Sequence, residues 1–151
     1  METADQNGWV RKAMRSTLCV FNRNREAFLG LHVAPADTLL LRLKGRLGRI
    51  GFKPHDGIWL TPSRGIHTIG MLFSVDLIYL DASQKVIHLV ENLGPFRISP
   101  FKFRCASILE LQPRSIFSSN TQIGDEIIIC TPKEMKQHYE RNYAVSALTD
   151  T

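Results

Sequence analysis

Residues 75–90 read VDLIYLDASQKVIHLV, and this stretch predicts the fold more clearly than any other part of the chain. An apolar, β-prone run at 75–80 is followed by turn-forming residues at 81–84 and by a second apolar run at 86–90. Two such runs joined by a short polar turn are typical of a β-hairpin. Ile78 lies in the middle of the first run, so we expect its side chain to be buried.

Short β-prone segments recur at near-regular spacing on both sides of this hairpin. They lie at residues 18–21, 27–33, 57–60, 66–73, 106–111, 116–117 and 126–130. This spacing predicts a mainly β protein, an antiparallel β-sandwich or barrel-like domain. We expect a flexible N-terminal segment at 1–16, a single β domain at 17–131, and a C-terminal tail at 132–151 that could form a short helix.

The stretch from residue 37 to residue 51 interrupts the β pattern. Leucines at positions 39, 40, 43 and 47 recur at helical spacing, Asp37 can cap the first turn, and a glycine at 48 or 51 can end the helix. The sequence therefore predicts one short inserted amphipathic helix. Its other faces form a basic patch that consists of Arg42, Lys44, Arg46 and Arg49.

The composition places the chain among ordinary globular domains. Of its 151 residues, 44% are hydrophobic and 22% are charged, which suits one folded domain and argues against disorder. The longest apolar runs fall far short of the roughly 20 residues that a membrane-spanning helix needs. The first 16 residues contain no apolar stretch like that of a secretory signal. We therefore expect a protein without a membrane span, located in the cytoplasm.

The net charge of +5 comes from residues 1–60, where ten lysines and arginines stand against five acidic residues. Such an excess favours phosphates, acidic lipids or an acidic partner, and it is also typical of a solvated face. Proteins that bind nucleic acids usually add interleaved exposed aromatic residues or a recognisable motif, and the sequence shows neither. Nucleic acid is therefore not the partner we expect.

No motif indicates a metal, a cofactor or a covalent nucleophile. Cys19, Cys105 and Cys130 each lie in an apolar run and have no metal-ligand spacing, so we expect buried free thiols and no metal site. The chain has no phosphate-binding G-x-x-x-x-G-K loop, no G-x-S-x-G and no H-E-x-x-H. We therefore expect no cofactor.

Ionisable residues within or beside apolar strands are the candidates for a site. His67 and Asp76 could form the acid–base pair of a hydrolase-like enzyme, with Arg64 binding an anionic group. Each also has a structural interpretation: His67 could satisfy backbone groups, and Asp76 could cap a turn or pair with Arg64. Glu110 alternates outward along its strand and could pair with a basic residue. The candidate ligand-binding set is Arg64, His67, Asp76 and Glu110.

Aromatic residues suggest a second kind of site. Trp59, Phe96, Phe101 and Phe103 could line a ligand groove, although Trp59 fits a core position better. The stretch at 101–104, beside two prolines, is compatible with an exposed rim or with an edge strand.

Several segments, in order, resemble the family called domain of unknown function 192, also known as uncharacterised protein family 0127. They are residues 37–38, 42–48, 57–62, 66–71, 75–81, 86–87, 95, 109–111 and 124–125. The resemblance covers roughly three-quarters of the chain and implies a mainly β sandwich with a short helix. The family has no established activity. Many of its members carry an export signal or an anchoring segment. We expect this chain to depart from them, so their localisation does not transfer to it.

Function therefore remains a choice between classes. The absence of catalytic motifs favours a non-catalytic binding or accessory module for a small ligand or a protein partner. The first alternative is the hydrolase-like enzyme with the His67–Asp76 pair. The second is a protein that binds an anion or a nucleic acid through the basic helix.

Overall fold

The computed structural model describes residues 17–36 and 52–149. Within these ranges the chain forms strands β1 (Leu18–Asn22), β2 (Ala27–Ala36), β3 (Asp56–Leu60), β4 (Val75–Leu80), β5 (Val86–Leu93), β6 (Ser107–Leu111) and β7 (Ile127–Cys130), and helices α1 (Ser115–Ser119) and α2 (Pro132–Thr149). The predicted inserted helix lies outside the described residues, together with the basic patch Arg42, Lys44, Arg46 and Arg49.

All seven strands belong to one curled sheet in the order β5-β4-β6-β3-β2-β1-β7. The two edge strands meet at one end. There the backbones of Lys85 and Glu126 form an antiparallel β-bridge, and the Val86 amide donates to the Asp125 carbonyl at 2.9 Å. The sheet is therefore a half-barrel whose edge strands, β5 and β7, are hydrogen-bonded to each other at this end. The prediction of a mainly β, barrel-like domain is confirmed.

One pair of strands departs from the predicted antiparallel arrangement. β2 and β3 run parallel, with His32 opposite Asp56 and Ala36 opposite Leu60, whereas the other five pairs are antiparallel. A parallel pair needs a crossover connection of a dozen or more residues. The connection at 37–55 is long enough to provide it, and it includes the segment with helical spacing.

The hairpin predicted over residues 75–90 is confirmed, and its first strand, β4, is buried along its whole length. β4 pairs with β5 on one side and with β6 on the other. Ile78 and Leu80 point into the curl of the sheet, into the inner cluster, which includes Leu109, Leu111, Val20 and Val33. Leu77 and Tyr79 point to the opposite side, into the outer cluster, which includes Val75, Ile108, Met71 and Cys105.

The strand predicted at residues 116–117 is wrong, because these residues lie in helix α1. Arg114 before the helix and Asn120 after it have positive φ angles of 73° and 55°, which bend the chain on both sides. The buried Ile116 then packs into the inner cluster. Two apolar residues in a row fit a strand and a single helical turn equally well, so their pattern alone did not separate the two.

A polar cluster holds β1 against the turn that precedes β7. Asp125 is almost fully buried and accepts hydrogen bonds from Asn22 Nδ2 (2.9 Å), Arg25 Nε (3.0 Å) and the Gln122 amide (2.9 Å). Burial alone would raise the pKa of Asp125, but the bonds from Arg25, Asn22 and the backbone amide outweigh it and lower the pKa. Asp125 therefore has a structural role as a charged carboxylate.

We expect Ile78→Asp to unfold the domain. A charged carboxylate at this fully buried position would cost several kcal/mol against a total stability of about 5–15 kcal/mol. Circular dichroism and thermal denaturation measure the loss. Ile98→Asp is the matched control, because Ile98 is largely exposed and its replacement should leave the melting temperature nearly unchanged. A folded Ile78→Asp protein with the parent's melting temperature would contradict the assignment of β4 as the central strand.

Replacing Asp125 with Asn should lower the free energy of unfolding at neutral pH by about 2 kcal/mol, because hydrogen bonds to a charged group are lost. The lowered pKa means that the stabilisation is complete above the ordinary aspartate pKa of about 3.9 and is lost as the pH falls through the folded-state value. The difference between parent and variant should therefore shrink below about pH 4. Denaturant titrations across this range measure it.

Glu126→Gln is the control for this substitution. Its ion pair with Arg23, at 3.3 Å, joins two side chains that are well exposed, so its loss should have little effect. Equal losses for the two variants, or a difference that does not change with pH, would contradict the role of Asp125.

Candidate interaction surface

Two loops cover the outer cluster, and Tyr79 pins the second of them to β4. The first loop spans residues 61–74 and the second loop spans residues 94–106. Tyr79 is fully buried, and its hydroxyl is hydrogen-bonded to the Pro100 carbonyl oxygen (2.8 Å) and to Ser99 Oγ (2.6 Å). Burial raises the pKa of Tyr79, so the hydroxyl keeps its proton and can donate.

The two loops are joined to each other as an antiparallel ribbon. Three backbone hydrogen bonds of 2.8–2.9 Å run between them, from the amides of Lys102, Ser99 and Thr68 to the carbonyls of Arg64, Ile66 and Arg97, respectively. His67 and Ile98 pair between these bonds. These bonds pair backbone groups of one loop with those of the other and give the ribbon a defined shape, unlike a pair of independent loops.

The ribbon separates inward-facing from outward-facing side chains. The inward set includes Thr68, which is buried and whose hydroxyl donates to the Gly94 carbonyl (2.7 Å) and accepts from the Arg97 amide (2.9 Å). Ser99 Oγ is also turned inward and accepts from the Ile66 amide at 2.8 Å. These bonds fix the ribbon from below, so the outward side chains are held on a rigid support.

Six large apolar side chains of the two loops remain outside, each between 53% and 79% exposed. Four basic residues lie on the same loops, and neither loop contains an aspartate or a glutamate. The Arg64 guanidinium carbon lies 5.3 Å from the centre of the Phe103 ring, within the range of a cation–π contact. We call this set the aromatic–basic surface: Ile69, Leu72, Phe96, Ile98, Phe101 and Phe103, with Arg64, Arg97, Lys102 and Arg104.

Only part of this surface was anticipated from the sequence. Arg64, Phe96, Phe101 and Phe103 were candidates, and the exposed-rim interpretation of residues 101–104 agrees with their accessibility. Trp59 is separate from the three phenylalanines, because it is half-buried against the inner cluster. Ile69 and Leu72 were missed because they lie in the segment predicted as a strand at 66–73, and Ile98 was missed because it lies in a loop between two prolines. The absence of aspartate and glutamate from both loops was the feature of the sequence that could have indicated this surface.

The two residues of the proposed acid–base pair lie on different sides of the sheet. Asp76 alternates with Leu77 and therefore shares the inner face with Ile78, whereas His67 belongs to the ribbon over the outer face. Both carboxylate oxygens of Asp76 are occupied: Oδ1 accepts from the Asn92 amide at 2.9 Å and Oδ2 from the Ile116 amide at 3.0 Å. The structure thus does not bring the pair together.

Asp76 instead joins three elements of the fold. β5 contains a bulge opposite Asp76, because Val75 pairs with Leu93 and Leu77 pairs with Val90. The bulge frees the amide of Asn92, whose φ angle is 53°, for the Asp76 carboxylate. The second oxygen binds the first turn of α1. A fully buried carboxylate with these partners is a structural link between β4, β5 and α1.

Glu110 is fully buried, whereas the sequence placed it outward. It alternates with Leu109 and Leu111, which point into the inner cluster, so it shares the outer face with Ile108. The outer face is not solvent-exposed here, because the two loops cover it. Strand alternation therefore indicated the correct face of the sheet but not its environment. Glu110 and His67 both take part in further interactions of the chain.

The three cysteines are free, and the pKa of each thiol is raised. Cys19 and Cys105 are buried, and burial raises the pKa of both. Cys130 is half-buried, and burial, Glu134 and Cys19 raise its pKa to about 11. Over residues 17–36 and 52–149, no group of three or more His, Cys, Asp or Glu side chains could hold a metal ion. Nor does any helix within these ranges have the length and apolarity to cross a membrane.

Comparison with protein families adds an independent observation. The model of the family described as DUF192, Uncharacterized ACR, matches residues 20–129. The chain belongs to the DUF192 family. The resemblance drawn from the ordered segments is thereby confirmed. The description of DUF192 assigns no activity, and no curated protein matches the sequence.

Two solved structures share the fold of this DUF192 protein. One is a protein of unknown function from Novosphingobium aromaticivorans, with a TM-score of 0.61 and 15% identity over 74% of this chain and 82% of that one. The other is from Sinorhizobium meliloti and is described as a candidate transcription regulator. Its TM-score is 0.58, with 16% identity over 74% of this chain and 91% of that one. At such low identity the similarity supports the fold alone.

Asp76→Asn should destabilise the protein by about 2–4 kcal/mol, because the amide nitrogen that replaces one oxygen would face a backbone N–H donor inside the core. Asp81→Asn is a matched control. Asp81 uses a single oxygen, Oδ1, to accept from the amides of Ser83 and Lys85, so an asparagine can keep both bonds. Thermal denaturation of the two variants measures the difference. Equal stability of Asp76→Asn and the parent would favour a functional role for this carboxylate.

Proposed function

We propose that this DUF192 protein is a non-catalytic binding module whose contact face is the aromatic–basic surface. The observation that supports this is the exposure of six large apolar side chains on two adjoining loops. Single exposed apolar residues are common on monomeric proteins, but a group on one face is typical of an interaction site. Aromatic residues and arginine are also the residue types that dominate binding energy at interfaces.

The support beneath this face favours binding over a merely loose loop. The buried side chains of Tyr79, Thr68 and Ser99 hold the ribbon through hydrogen bonds of 2.6–2.9 Å. A surface that is ordered before it meets a partner loses less conformational entropy on binding. Exposed apolar side chains on such a support are therefore suited to contact, and the hydroxyls of the support are already engaged in these hydrogen bonds.

The enzyme alternative draws less support from the geometry. A general acid or base must reach the substrate proton, and both oxygens of Asp76 are used by backbone amides. His67 lies beside the aromatic–basic surface, so it fits a positioning role in binding. The alternative based on the basic helix concerns residues outside the described ranges.

Site-specific photo-crosslinking tests which face meets a partner. We expect benzoylphenylalanine introduced at Phe101 to form crosslinks in cells that express the protein, because this side chain points outward from the surface. Phe117 is the matched control: it is 69% exposed and lies under Arg114, with 5.0 Å between guanidinium carbon and ring centre, but it belongs to α1. Mass spectrometry of the products measures the yield at each position.

Strong crosslinking at position 101 and weak crosslinking at position 117 is the expected outcome. Equal yields at both positions, or no crosslink at 101 while 117 reacts, would contradict the assignment of the contact face. Unchanged melting temperatures must accompany both replacements.

A further inference from the structure

The geometry points to one partner for this face: we infer that the aromatic–basic surface binds a lipid bilayer that carries anionic headgroups. This inference rests on the proposed function and specifies its partner. The surface combines the two features of an interfacial membrane contact, namely apolar side chains that can enter the boundary of the acyl chains and basic side chains beside them.

Charge complementarity is the first argument. Arg64, Arg97, Lys102 and Arg104 lie on the two loops, and residues 61–74 and 94–106 include no acidic residue to offset them. The positive charge of this face is therefore uncompensated by its own loops. An anionic headgroup layer attracts juxtaposed basic residues by about 1 kcal/mol each, which corresponds to about a fivefold increase in binding per residue.

The kind of apolar residue is the second argument. Phe96, Phe101 and Phe103 could stack on nucleic-acid bases, but Ile69, Leu72 and Ile98 on the same two loops have no ring to stack. Hydrocarbon accepts aliphatic and aromatic side chains alike. The mixture therefore favours a bilayer over a single-stranded nucleic acid.

The degree of exposure is the third argument. A groove shields the side chains that line it, whereas Ile98 and Phe103 are each 79% exposed. Side chains that protrude to this extent fit a medium that they can enter. The ribbon also suits the low polarity of the headgroup boundary, because several of its amides are bonded to carbonyls of the other loop or to the hydroxyls of Thr68 and Ser99.

Vesicle binding tests the inference on the full chain. Vesicles of phosphatidylcholine mixed with phosphatidylglycerol, and vesicles of phosphatidylcholine alone, are centrifuged with the protein, and the bound fraction is measured at rising salt. We expect binding to the anionic vesicles only, and we expect salt to weaken it because salt screens the basic residues. A single-stranded oligonucleotide is the competing probe.

Three variants assign the binding to the surface. Phe101→Ser with Phe103→Ser should lower vesicle binding at least about tenfold, since two apolar insertions are lost. Arg97→Gln with Arg104→Gln should lower it by about 25-fold, or about fivefold per charge. The control, Arg114→Gln with Phe117→Ser, removes a similar exposed arginine–phenylalanine contact from α1 and should bind as the parent does. Circular dichroism must show that all three are folded.

Several outcomes would overturn the inference: no preference for anionic vesicles, equal losses in the surface and control variants, or tighter binding to the oligonucleotide than to the vesicles. The proposed function can fail separately. Crosslinks to protein at position 101 combined with no vesicle binding would exclude the bilayer and keep the binding module. Equal crosslinking at positions 101 and 117 would instead contradict the proposed contact face.

Discussion

The burial of β4 on both of its faces is the constraint on which the remaining structure depends. Every residue from Val75 to Leu80 is inaccessible to solvent, so each side of this strand needs a cover of apolar groups. On the inner side the sheet provides the cover itself by curling until its edge strands meet, with Ile116 of α1 added. On the outer side no second sheet formed by residues 17–36 and 52–149 packs against it, and the two loops take that place.

A cover made of loops has a consequence that a second sheet would not have. Loops contain backbone groups that need partners, and here the ribbon supplies them through its own hydrogen bonds and through Thr68, Ser99 and Tyr79. The polar atoms are therefore used beneath and within the ribbon. Six large apolar side chains of the loops remain exposed, and they belong to the aromatic–basic surface.

The buried carboxylates of this DUF192 protein also provide hydrogen-bond partners for backbone groups. Asp76 and Asp125 each accept hydrogen bonds from groups that the sheet ladder leaves unpaired, at the β5 bulge, at α1 and at the turn before β7. A carboxylate in an apolar strand suggests a catalytic group when only the sequence is known. In this fold Asp76 and Asp125 instead link strands to α1 and to turns, and the large exposed apolar side chains of the two loops lie elsewhere.

The sequence by itself determined the secondary structure around the hairpin and the mainly β class. Alternating apolar residues and turn-forming residues act over a few positions, and this local information is sufficient for β4, its partner β5 and the burial of Ile78. The ordered segments also indicated the family. Local patterns were ambiguous for residues 116–117, where two apolar residues serve a helical turn that depends on Arg114 and Asn120.

Only the tertiary structure decided which faces are covered and which side chains meet. Strand alternation put Glu110 and Leu109 on opposite faces of the sheet. Whether the face of Glu110 is solvent or core depends on two covering loops, one of which lies about 40 residues away in the chain. The separation of His67 from Asp76 likewise follows from the sheet lying between them. The aromatic–basic surface exists because residues 64–68 and 97–102 pair across about 30 positions, and no local pattern encodes a pairing at that distance.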